Sequence, residues 1–132
     1  MITEGNIADY LFVKSQAFGV DVYQWGNIPK GAVKEERVTI QVKPLQRGKY
    51  WKNGFVEVNF CMPYIDETGK ASLIRFEEVE KKSREMYDGV VDKVGDDWVR
   101  YEIDTLNRLK DEALRCYYLN VHIAFQVLNI NK

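Results

Sequence analysis

Tyr117-Tyr118-Leu119-Asn120-Val121-His122-Ile123-Ala124-Phe125-Gln126-Val127 alternates without a break. In an extended chain, Tyr117, Leu119, Val121, Ile123, Phe125 and Val127 fall on one side, and Tyr118, Asn120, His122, Ala124 and Gln126 on the other. A one-residue slip would move the whole apolar set into water, so the register of this strand is strongly specified. Such a segment belongs near the centre of a sheet with one greasy face and one polar face.

The neighbouring segments repeat the pattern. Arg37 to Lys43 sets Val38, Ile40 and Val42 against Arg37, Thr39, Gln41 and Lys43. Phe55 to Met62 sets Val56, Val58, Phe60 and Met62 against Glu57, Asn59 and Cys61, and Leu45–Gly54 joins the two as an antiparallel hairpin with a long tip. Val20 to Trp25 and Trp98 to Thr105 read as further strands, whereas Asn107 to Leu114 is ambiguous between strand and helical turn. The loop Gly26–Gly31 is dense in turn formers.

Two helices complete the pattern. Thr3 caps the first, expected over Thr3–Phe18 with Ile7, Tyr10, Leu11, Ala17 and Phe18 on one face and Gly19 as its stop. The second is expected over Ser72–Val94, with an apolar stripe of Leu73, Phe76, Val79, Met86, Tyr87, Val90, Val91 and Val94, closed by Gly95. Gly89 inside it costs about 1 kcal/mol relative to alanine. The order α-β-β-β-α-β-β predicts a single α+β domain over residues 1–132. In it, a mostly antiparallel sheet of about five strands carries both helices on one face.

The chain has 132 residues, 45% hydrophobic and 30% charged, which suits one globular domain with its own core. Nineteen basic and 20 acidic residues leave a net charge of -1, which removes the strongest argument for nonspecific nucleic-acid binding. Two cysteines, Cys61 and Cys116, are too few for a disulfide framework, and one histidine rules out a multi-histidine metal centre within one chain. Glu4 and Asp9 stand where a secretory signal would be basic and then apolar, and the uncharged run Cys116–Asn131 is interrupted by polar residues. The expectation is a protein of the reducing cytoplasm with no membrane span.

No catalytic constellation is legible. His122 lies on a polar strand face, the cysteines read as inert thiols, and no serine sits in a G-x-S-x-G elbow. The acidic pairs Glu35-Glu36, Asp66-Glu67 and Asp96-Asp97 have neither calcium-loop nor two-metal spacing. Neither enzyme activity, nor cofactor, nor metal is expected. Lys43-Pro44-Leu45-Gln46-Arg47-Gly48-Lys49-Tyr50-Trp51-Lys52-Asn53-Gly54 stands apart, with cations and two adjacent aromatics and no acid. It reads in one of two ways: as a partner-binding arm, with Tyr50 and Trp51 as anchors and Arg47, Lys49 and Lys52 steering an acidic partner or phosphates, or as a loop under which Trp51 packs while the cations stay solvated. Tyr118, His122, Tyr23 and Trp25 are further candidates for an aromatic patch on the uncovered sheet face.

With these elements in place, the chain resembles the tail-terminator or tail-completion (minor tail) proteins of long-tailed bacteriophages. The likeness is carried by the helix Thr3–Phe18, Val22-Tyr23-Gln24-Trp25-Gly26-Asn27-Ile28-Pro29, the strands Arg37–Lys43 and Phe55–Met62, the helix Ser72–Val94 and the strand Tyr117–Val127. It is a likeness of element order over nearly the whole chain, without a diagnostic motif. It implies a non-enzymatic phage or prophage structural protein, located in the host-cell cytoplasm or the virion. Such a protein forms a homo-oligomeric ring that caps the tail tube at the head–tail junction and contacts other virion proteins. The alternative is a small nucleic-acid-binding module using the basic aromatic hairpin around residues 43–54.

Overall fold

The computed structural model describes residues 2–43 and 53–128. Among them run α1 (Glu4–Ser15), a 3-10 turn (Gln16–Phe18), β1 (Asp21–Gln24), β2 (Arg37–Val42), β3 (Asn53–Pro63), α2 (Leu73–Tyr87), β4 (Val90–Val94), β5 (Asp97–Asp111) and β6 (Cys116–Leu128). The strands form one six-stranded mixed sheet in the order β1-β2-β3-β6-β5-β4. The fold is α+β as the patterns predict, but with a sixth strand.

β6 lies between β3 and β5, antiparallel to both, as its two-faced pattern demands. Val56, Val58 and Phe60 of β3 stand opposite Ile123, Val121 and Leu119 of β6, and all six are buried. On the same face Ile7 and Leu11 of α1 and Phe76, Val79, Met86 and Tyr87 of α2 join them in one core. Tyr101 stacks on Phe125 with ring centroids 4.9 Å apart, and Tyr10 from α1 meets both rings edge-on. Ser15 and Tyr87, both fully buried, hydrogen-bond through their hydroxyls and tie the end of α1 to the end of α2.

The expected N-cap of α1 is in place: the Thr3 hydroxyl accepts from the Asn6 N–H at 3.1 Å, and the Asn6 side chain accepts from the Thr3 N–H at 3.0 Å. The regular helix ends at Ser15 rather than Phe18, tightening into the 3-10 turn before Gly19 turns left-handed at φ 74°. Ser72 caps α2 by accepting from the Arg75 N–H.

The second helix needs the larger correction. It stops at Tyr87, and the last part of the expected helix, Val90–Val94, is strand β4. Asp88 is already extended, its carboxylate accepts from the Ile103 N–H at 3.0 Å, and Gly89 adopts φ 63°. The β-branched run Val90-Val91 then pairs with Tyr101 and Arg100, and Gly95-Asp96 connects β4 to β5 as a two-residue hairpin with positive φ at the glycine. Leu73, placed in the apolar stripe by its spacing, is exposed.

β1 pairs with β2 in parallel, so residues 25–36 form a crossover rather than a hairpin turn. The ambiguous segment Asn107–Leu114 is mostly strand, because β5 runs on to Asp111. A bulge between Ile103 and Thr105 shifts the alternation by one residue. Val99, Tyr101 and Ile103 face the helices before it, and Leu106 and Arg108 face them after it, opposite Val121 and Leu119. That shift is why the segment has no steady period in the sequence.

Gly89 supplies a test. Within a helix, Gly89→Ala would stabilise the protein by about 1 kcal/mol. At φ 63°, with open space where a Cβ would stand, alanine instead meets the backbone cost of the left-handed region. The expected loss is about 1 kcal/mol, read as a lower urea midpoint at unchanged slope.

Candidate interaction surface

Facing away from both helices, the sheet divides into a covered end and an open end. Over the covered end passes the crossover strap, residues 25–36. Its Val33 N–H donates to the Leu114 carbonyl at 2.8 Å, and its side chain packs on Cys61 and Cys116. Glu36 anchors the strap through a bidentate pair with Arg75 of α2, at 2.8 Å for each bond.

At the open end, cross-strand rows expose mixed chemistry. Phe55 stands opposite Ala124, and Ala124 opposite Glu102. The Phe55 ring lies flat on His122, with centroids 4.5 Å apart, and the His122 Nδ1 is 3.1 Å from the Asp104 carboxylate. Asp104 is the residue that the bulge inserts, so the same irregularity that restores the core side brings a carboxylate to the only histidine. Arg100 donates to the Gln126 side-chain Oε1 at 2.8 Å, and Lys43 pairs with Glu57 at 3.1 Å. Phe55 and Trp98 remain 43% and 39% exposed, and Val91 on the edge strand β4, diagonal to Trp98, is 56% exposed. A shallow groove of about 580 Å³ runs between Phe55, Arg100, Glu102 and Gln126.

The candidates named from the sequence distribute unevenly. Arg47, Lys49, Tyr50, Trp51 and Lys52 lie outside the described residues. His122 is on the open face as expected. Tyr23 and Tyr118 are half-buried, and Trp25, 69% exposed, follows β1 at the sheet's outer strand. The aromatic partner of His122 is Phe55, which is not among the residues singled out from the sequence. Alternation alone points to it, since Phe55 shares parity with Glu57 and Asn59.

A second concavity, about 850 Å³, lies between α1 and the β4–β5 hairpin, lined by Tyr10, Lys14, Asp92, Lys93 and Asp96 among others. The Tyr10 hydroxyl donates to Asp92 at 2.6 Å and lies 2.8 Å from the Tyr101 hydroxyl. Burial, then the bond to Asp92, pushes the Tyr10 phenol far above its ordinary range. The same bond from Tyr10, followed by the Lys93 N–H, holds the Asp92 carboxyl below its ordinary value. At neutral pH the phenol stays protonated and the carboxylate ionised, which makes this a structural clasp rather than an acid–base pair.

Neither a family model nor a curated protein matches the chain. Two solved chains match its structure. One of them, which carries a sequence label in place of a descriptive name, superposes with a TM-score of 0.57 and 15% identity, covering 98% of this chain and 92% of its own. At that identity the likeness speaks for the fold alone. No described helix is long and apolar enough to cross a membrane.

The Tyr10 clasp has a pH signature. A carboxylate whose folded pKa is depressed stabilises the fold above its unfolded pKa, about 3.9 for aspartate, and loses that contribution as pH falls through the folded value. Tyr10→Phe removes both hydroxyl bonds and leaves the buried Tyr101 hydroxyl without this partner. It costs about 1–2 kcal/mol at pH 7 in urea unfolding, and the difference from wild type narrows below pH 4.

Proposed function

We propose that the protein is a non-enzymatic, self-assembling structural component of a phage or prophage tail, of the tail-terminator kind, whose copies close into a ring at the head–tail junction. The observation that carries this reading is the open end of the sheet, where Phe55, Trp98 and Val91 stay exposed on paired strands rather than on loops. Apolar side chains held this way, rimmed by Arg100, Glu102 and Lys43, have the make-up of a contact surface.

Ring closure needs two different patches that complement each other. A second patch is available on the helical side, where Leu73 and Ile74 at the start of α2 and Ile65 in the preceding loop are 64%, 75% and 60% exposed. The basic arm with Arg47, Lys49, Tyr50, Trp51 and Lys52 belongs to the same proposal, as the segment that reaches toward a neighbouring subunit or virion protein. The element order, helix, strands, long helix, closing strands, supports the resemblance to the tail-terminator proteins.

Sedimentation and light scattering test it. The wild type is expected as a discrete multiple of the 15.5 kDa chain. Phe55→Glu and Trp98→Glu each weaken association about tenfold or more, equivalent to about 1.4 kcal/mol, with the far-ultraviolet circular dichroism unchanged. Trp51→Ala weakens it as well. A monomer at every concentration, alone and with tail-tube protein added, overturns the ring.

A further inference from the structure

Beneath the strap lies a cluster that assembly does not use. Arg37 of β2 stands directly opposite Cys61 of β3. In the β3–β6 register Cys61 opposes Tyr118 and Cys116 opposes Pro63, so the two cysteines are diagonal neighbours on one face. Both line a pocket of about 170 Å³ together with Arg37, Thr39, Asn59, Asp111 and Tyr118.

Arg37 is more than nine-tenths buried, and its Nε has no hydrogen-bond partner among the described residues. Nor does any described carboxylate form an ion pair with its guanidinium; the pocket's own acid, Asp111, accepts instead from the Leu114 N–H at 3.0 Å. A guanidinium does not lose its proton, so a buried one requires a negative neighbour. The group directly across from it is the Cys61 sulfur.

We infer that Cys61, Cys116 and Arg37 form a hydroperoxide-reactive dithiol site, in which Cys61 attacks and Cys116 resolves the product into a disulfide. The electrostatics divide the roles. Hydrogen bonding by Cys116, then the Arg37 charge, pulls the Cys61 thiol below its ordinary value, against burial and the Asp111 charge. Hydrogen bonding to Cys61, followed by burial, pushes the Cys116 thiol up, so it remains the protonated partner.

The chemistry balances with a small hydroperoxide as the oxidant, which suits the size of the pocket. The Cys61 sulfur attacks the terminal peroxide oxygen, the S–O bond of a sulfenic acid forms, the O–O bond breaks, and the leaving oxyanion takes up a proton. The Cys116 sulfur then attacks the sulfenic sulfur. The S–O bond breaks, the S–S bond forms, and hydroxide leaves as water with the Cys116 proton. Two thiols lose two electrons and one hydroperoxide becomes an alcohol and a water. Diagonal neighbours lie at the outer edge of disulfide reach, so closure draws β3 and β6 together at this end.

Hydrogen peroxide added to the full chain tests the site by intact mass and non-reducing peptide mapping. The wild type is expected to lose two hydrogens and to yield a Cys61–Cys116 linked peptide. At pH 6, where an ordinary thiol is almost wholly protonated, it reacts about tenfold faster than free cysteine. Cys116→Ser stops at a sulfenic acid on Cys61 that dimedone captures, Cys61→Ser leaves Cys116 unlabelled, and Arg37→Met slows the reaction about tenfold. A wild-type rate equal to or below that of free cysteine overturns the inference, and so does dimedone capture at Cys116 in place of Cys61. The wild-type rate involves no substitution, so a variant that fails to fold does not blunt the test.

Discussion

The pairing of β3 with β6 is the constraint on which the other parts of the molecule depend. Val56, Val58 and Phe60 meet Ile123, Val121 and Leu119 in one buried stripe, and both helices rest on it. Because side chains alternate with a period of two, this single register decides which half of every neighbouring residue faces oil and which faces water. A slip would expose the core and, with the same motion, bury His122, Glu57 and Asn59. The polar face is therefore a product of the core, not an independent design.

That polar face is used unequally along its length. At one end the strap and Val33 close over Cys61 and Cys116, and Glu36 fastens the strap to α2 through Arg75. At the other end Phe55, His122 and Trp98 stay at the surface, held by paired strands whose opposite face is buried in the core. Rigid apolar side chains lose little freedom when a partner covers them, which is what distinguishes a binding surface from a loop that happens to be greasy. The proposed assembly face and the proposed thiol site thus share one sheet surface but occupy opposite ends of it.

The bulge at Asp104 connects the two faces. One inserted residue lets β5 keep pairing with β6 for its full length while Leu106 and Arg108 turn to the helices, where Arg108 lies over the Phe76 ring and pairs with Glu80 at 2.7 Å. On the other face the inserted Asp104 meets His122. Bulges re-aim side chains in this way without breaking a sheet, and here one irregularity serves the core and the surface together.

Local pattern was enough for the two-faced strands, the N-cap of α1, the start of α2 at Ser72 and the central position of β6. Each of these rests on alternation or on a side chain bonding a backbone group a few residues away. Three other features needed the assembled fold. Val90–Val94 is helical by spacing, yet it becomes a strand because Tyr101 and Arg100 offer it an edge and Gly89 frees the turn. The parallel course of β1 depends on where a long crossover lands, and composition does not record that. The meeting of Arg37 with Cys61 and Cys116 joins three strands distant in sequence, so no spacing along the chain could announce it. Local chemistry is written in neighbouring residues, whereas the partner of a strand is chosen by the competition of all the edges for one another.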